Sequence, residues 1–168
     1  MSEENQNPEQ PTANDNADTT HHQPPIIINT QYIKDFSLEI PHAPEIFRNL
    51  SQAPEVNIDV DVHADHLHDN YFNVSLKIRI DGIVGTQPLF ILEIDYCGIT
   101  ALNVPEEHLE PVLLIEIPRM LFPYARSYIT TSLIAAGLPP LMINPIDFVA
   151  MYQNRKQKPS EQPQPEQN

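Results

Sequence analysis

His63, His66 and His68 stand close together in the chain, with Asp65 and Asp69 among them. Imidazoles and carboxylates at such spacing are zinc-ligand types. Strand geometry works against a shared ion, because alternate side chains face opposite sides and His63 and His66 differ by an odd number. The expected reading is a solvated polar hairpin. His21, His22, His42 and His108 have no companion at metal spacing. Cys97 has no His or basic neighbour in sequence, so it is expected to be a small buried or interface residue rather than a nucleophile. Asp35 and Glu39 form a same-face carboxylate pair, but general acid–base work also needs a pocket and a reacting partner. The four glycines, at 82, 85, 98 and 137, cannot build a phosphate-cradling loop. These residues point away from an enzyme, and no metal or cofactor is expected.

The elements that carry these residues are legible from periodicity. Phe72, Val74, Leu76, Ile78 and Ile80 alternate with Asn73, Ser75, Lys77 and Arg79, a period of two that marks a half-buried strand. Val56, Ile58, Val60 and Val62 alternate in the same way. The stretch His66 to Asn70 supplies turn residues, predicting a hairpin. Another strand is expected from Pro88 to about Ala101, entered through Gly82 to Gly85, and a less regular one from Ile26 to Ile40. Four strands with one apolar face each require a cover.

The later half supplies it. Pro105-Glu106-Glu107 is a helix start, with proline in the first turn and acids at the positive dipole end. Pro111 and Pro118 predict a break before a second helix, which should end at Gly137. Asn144-Pro145-Ile146-Asp147 predicts a last helix capped by Asn144 and running to about Gln153. The expected fold class is therefore α+β: a four-stranded antiparallel sheet with helices packed on one face.

Composition bounds the domains and partners. Residues 1–25 hold five acids and no Lys or Arg, and residues 153–168 are rich in Gln, Pro and Glu. Both segments are expected to be disordered arms, leaving 26–152 as one folded domain. That part carries sixteen Asp and Glu against six Lys and Arg. Such a surface disfavours nucleic acid and anionic lipid, and favours cationic partners. No signal-peptide pattern opens the chain and no apolar run approaches a membrane span. A single cysteine, which permits no internal disulfide, fits a reducing compartment. The expectation is a soluble, cytoplasmic protein.

Two features suit binding. Pro41 to Pro54 is a fourteen-residue connection with three prolines, carrying Ile46, Phe47 and Leu50. Loops of that length in compact domains tend to be functional. The last helix, with Ile146, Phe148, Val149, Met151 and Tyr152, has almost no polar face, so another subunit or an apolar groove must account for it.

Leu121-Phe122-Pro123-Tyr124-Ala125-Arg126 places a proline inside a helix, where it removes a donor and costs roughly 3 kcal/mol. Glu39-Ile40-Pro41-His42-Ala43-Pro44 lies upstream and Asn144-Pro145-Ile146-Asp147-Phe148 downstream. With the strand order between them, over roughly Gln31 to Tyr152, these runs resemble SecB, the bacterial protein-export chaperone family. The resemblance implies a dimer of dimers that binds unfolded precursor proteins without nucleotide and hands them to the SecA motor. It implies client-groove residues Phe47, Leu50, Leu141, Ile143, Phe148 and Tyr152. It implies docking of SecA's small basic module on Asp35, Glu39, Ile91 and Glu93. The long acidic N-terminal arm and the Gln/Pro/Glu tail depart from the family pattern, and the tail contact with SecA is in doubt here. Two alternatives remain at this point: a SecB-like chaperone dedicated to one unstable partner, and a carrier of small apolar ligands.

Overall fold

The computed structural model describes residues 24–49 and 53–157. Four strands come first: β1 (Ile26–Glu39), β2 (Glu55–His68), β3 (Tyr71–Val84) and β4 (Gln87–Leu102). They form one antiparallel sheet in the order β1-β4-β3-β2. β2, β3 and β4 follow one another as hairpins, and β1 returns beside β4, so β1 and β2 are the two edges. A short 3₁₀ turn, Glu45–Asn49, lies in the connection between them.

The period-two pattern sorts the sheet into two faces. Phe72, Val74, Leu76, Ile78 and Ile80 of β3 face inward with Phe90, Leu92 and Ile94 of β4, and most are fully buried. The opposite face carries Lys77, Arg79, Glu93 and Asp35. The β2–β3 turn is tighter than expected. β2 continues through His66 to His68, and only Asp69 and Asn70 connect the strands, with Asp69 at a φ of 48°. Asp is among the few residues that tolerate the left-handed region.

Helices α1 (Glu106–Pro111) and α2 (Ile117–Ala135) cover the inner face. The expected break between them is absent. A π-helical turn, Val112–Glu116, joins them into a continuous rod, and the Ile117 N–H donates to the carbonyl of Val112, five residues back. The widened turn accommodates Pro118, which has no N–H to offer at the first turn of α2. The expected end at Gly137 is found: its φ is +80°, and its N–H donates to Ile134 O while Leu138 N–H donates to Leu133 O, both at 3.0 Å. This pair of bonds satisfies the last carbonyls of α2.

α2 buries Ile117, Leu121, Phe122, Ala125, Ile129 and Leu133 against β3 and β4. Its approach to β4 is set by Gly98, beside Leu121.

The last helix, α3 (Phe148–Gln157), starts later and ends later than expected. Asp147, not Asn144, caps it, accepting the Ala150 N–H at 2.9 Å. Residues 138–147 run on as an irregular segment outside any helix or strand. The helix also passes the expected boundary at 153. Residues 1–23 and 158–168, the bulk of the two expected arms, lie outside the described residues, as does Leu50.

Candidate functional site: an apolar cleft and an acidic sheet face

The inner side of edge strand β2 is not closed by α3. Between it and the segment after α2 runs a cleft of about 570 Å³, lined by Val56, Ile58, Val60, Leu141, Met142, Ile143, Ile146 and Met151, with Asp59 and Asn144 at its rim. Two α2 side chains hold the outer wall. Thr130 Oγ1 donates to Leu141 O at 3.1 Å and an Arg126 Nη1–H donates to Ile143 O at 3.4 Å. Met142 between them is 86% exposed.

The expected groove residues are only partly gathered here. Leu141 and Ile143 line the cleft, although Ile143 also reaches into the core. Phe47 is exposed and sits near Gly137, beside the end of α2. Phe148 is a core residue instead: it is fully buried, its ring meeting Phe122 edge-on at 6.2 Å. As the first residue of α3 it points down, because Asp147 caps the helix just before it. Tyr152 turns toward α1, where its hydroxyl donates to Glu110 at 3.0 Å and Lys156 lies over its ring. Val56, Ile58, Val60, Met142, Ile146 and Met151 were not assigned to the groove from sequence. The alternation of β2 identified its apolar face but not the fact that β2 is an edge.

The four expected docking residues come together on the uncovered face. Glu39 pairs across to Ile91, Ser37 to Glu93 and Asp35 to Asp95. Continuing across β3 and β2, the register places Asp61, Lys77, Asp95 and Asp35 in one row and Asp59, Arg79, Glu93 and Ser37 in the next. Together these charges line a cleft of about 390 Å³. Arg79 bridges Glu93 and Asp81, yet carboxylates still outnumber cations. Asp95, which alternation along β4 puts on the face of Ile91 and Glu93, lies among them. It is buried, accepts from Ser75 Oγ and from Cys97 Sγ–H (3.3 Å), and has Lys34 at 3.9 Å.

The reactive candidates do not assemble. Burial, with the Asp95 carboxylate beside it, pushes the Cys97 thiol up, so at neutral pH it keeps its proton and is a poor nucleophile. His63 pairs with Asp65 at 2.9 Å, whereas His66 packs on Phe72 on the other face of the sheet. Among the described residues no group of three or more His, Cys, Asp or Glu could hold a metal ion. No helix among them is long and apolar enough to cross a membrane.

A sheet covered on one face, an open apolar cleft beside its edge and a charged outer face are surfaces of the kind that suit binding other polypeptides. The family model described as "Preprotein translocase subunit SecB" matches residues 19–159. A protein-export protein SecB from Rhodospirillum rubrum is 52% identical over 135 residues, covering 80% of this chain and 84% of that protein. One from Paramagnetospirillum magneticum is 45% identical over 133 residues, covering 79% and 86%. Among solved structures, the Mycobacterium tuberculosis Rv1957 SecB-like chaperone, in complex with a ChAD peptide from the Rv1956 HigA1 antitoxin, superposes with a TM-score of 0.61 at 16% identity. That match covers 72% of this chain and 90% of the other. The chain belongs to the SecB family of protein-export chaperones.

Proposed function

We propose that the cleft between β2 and the Leu141–Ile146 segment takes extended stretches of unfolded precursors, keeping them competent for translocation. The observation that carries this reading is the cleft itself: apolar, open along its length and bordered by an edge strand. Its binding would be driven by apolar burial at about 25 cal/mol per Å², with little demand on sequence. Met142 and Met151 suit varied clients because thioether side chains repack readily. Nothing in such binding needs nucleotide. Acidic surroundings favour clients that carry positive charge.

The acidic outer face is the complement of a basic module, and by family resemblance that partner is the SecA motor. Asp35, Glu39 and Glu93 with Ile91 among them give it charge and an apolar contact. Asp95 and Asp61 extend the same patch. The protein works in the cytoplasm as a dimer of dimers. Two exposed features support assembly: the edge of β1, which pairs with no further strand among the described residues, and the α2 face carrying Met120, Tyr124 and Tyr128. Edges and apolar faces of this kind are buried most simply across two-fold axes.

Native mass spectrometry of the purified protein, with and without a denatured precursor and without nucleotide, tests the reading. The expected result is a tetramer that takes up the unfolded chain and ignores the same protein folded. A monomer, or a tetramer indifferent to the unfolded chain, would overturn it. A Glu93→Gln, Asp35→Asn double variant should keep client binding. Its affinity for a SecA-derived basic peptide should fall at least tenfold, and the residual binding should depend less on salt.

A further inference from the structure

The Leu121–Arg126 run marks this chain in sequence, yet client binding as described above gives its arginine no task. The segment that α2 faces explains why one is needed. Pro139, Pro140 and Pro145 deprive residues 138–147 of three backbone donors, so the segment is ill suited to join the sheet as a fifth strand. It bonds outward instead, to α2. Thr130 Oγ1 reaches Leu141 O and Arg126 Nη1 reaches Ile143 O, one helical turn apart on α2 and two residues apart on the extended segment. Four residues of helix rise about 6 Å and two residues of extended chain about 6.6 Å, so the two spacings match. The same guanidinium lies 5.7 Å from the centre of the Phe122 ring, which steadies its direction.

The two bonds hold the carbonyls of Leu141 and Ile143 against α2. Leu141 and Ile143 are turned inward, half-buried and buried, and Met142 is thrown outward, the most exposed large apolar side chain among the described residues. A large apolar side chain left 86% exposed on the wall of an apolar cleft has a use only when something covers it.

We infer that Arg126 and Thr130 are positioning residues for client binding, holding the cleft wall so that Met142 contacts the bound chain. The inference rests on the proposed client cleft, and its occupant is an extended apolar stretch of an unfolded polypeptide. Free of these two bonds, the segment would rotate or lift, and Met142 would lose its place opposite Val56, Ile58 and Val60.

The test uses the full chain and reduced, carboxamidomethylated ribonuclease A, a cationic protein that stays unfolded without denaturant. Binding is read by fluorescence anisotropy, and the Met142 methyl group by carbon-13 labelling. Thr130→Val removes one donor at constant shape, and Arg126→Met removes the other at similar length. Together they should weaken binding about tenfold through faster dissociation and shift the Met142 methyl resonance, while the assembly mass stays unchanged. Arg126→Lys, which keeps one donor, should restore most of the affinity. Met142→Ala, a surface change that cannot disturb the helices, should weaken binding severalfold with both bonds intact. If the unmutated protein binds and all of these variants bind equally well, the inference is overturned. If the unmutated protein does not bind the unfolded chain, the client cleft itself is overturned, and this inference with it.

Discussion

Gly98 of β4 lies against Leu121 of α2 so closely that a Cβ built on it would stand 2.9 Å from Leu121 Cδ2. The missing side chain lets the helix rest on the sheet at the point where the Leu121–Arg126 run begins. Both residues are completely enclosed, so a new methyl group there has no solvent to escape into.

Gly98→Ala should therefore destabilise the protein by about 1–3 kcal/mol through overpacking. Leu121→Ala alone should cost about 2–5 kcal/mol by leaving a cavity. The double variant should lose less than the sum, because each change relieves the other. Urea unfolding at one fixed protomer concentration measures all three; strict additivity would show that the two side chains do not compete for space.

At the far edge of the sheet, Arg155 of α3 donates to the carbonyl of Val62 at 2.8 Å, and Lys156 pairs with Glu110. An edge carbonyl satisfied by a charged side chain is closed to another strand. Arg155→Ala should cost about 1 kcal/mol or less and leave β2 open for longer pairing. The expected sign is larger assemblies in sedimentation velocity at high protein concentration. A profile identical to that of the unmutated protein would remove Arg155 from edge protection.

Cys97 supplies a pH test with a definite sign. Its folded thiol is pushed above the ordinary value, first by burial and then by Asp95. An unfolded thiol ionises near pH 8.5. Above that pH the unfolded state binds fewer protons than the folded one, so stability contributed at this site falls as pH rises. It is undiminished below pH 8.5. Cys97→Ala should lack this alkaline loss, and the difference between the two stability profiles isolates it. In the native protein Cys97 should react slowly with a disulfide reagent and quickly once urea unfolds the chain; rapid native reaction would contradict its burial.

Much of this molecule could be read before its structure. The strands followed from period two in Val56–Val62 and Phe72–Ile80, because an antiparallel sheet with one covered face imposes that alternation. The end of α2 at Gly137 followed from the left-handed conformation that glycine alone adopts freely. Helix continuity through Pro118 was not legible, since a π turn is stabilised by the packing of Leu113 and Ile115 and leaves no local signature. The start of α3 was misplaced because Asn144 and Asp147 are both good cap types, and only the folded chain shows that Asp147 accepts the Ala150 N–H.

The docking patch and the cleft divide along the same line. Alternation in one strand places Asp35 with Glu39, and Glu93 with Ile91, on common faces. Family resemblance to SecB then assigned those faces a partner. Alternation also puts Asp95 on the face of Ile91 and Glu93, but that β1 lies beside β4, pairing Asp35 with Asp95 and bringing the two faces together, is a matter of strand order, which side-chain periodicity does not encode. The cleft depended on tertiary structure still more heavily. A buried and a client-facing apolar residue have the same hydropathy, so Phe148 and Met142 look alike in the chain. Only packing, with one ring beneath α3 and one thioether held out by two bonds to α2, told them apart.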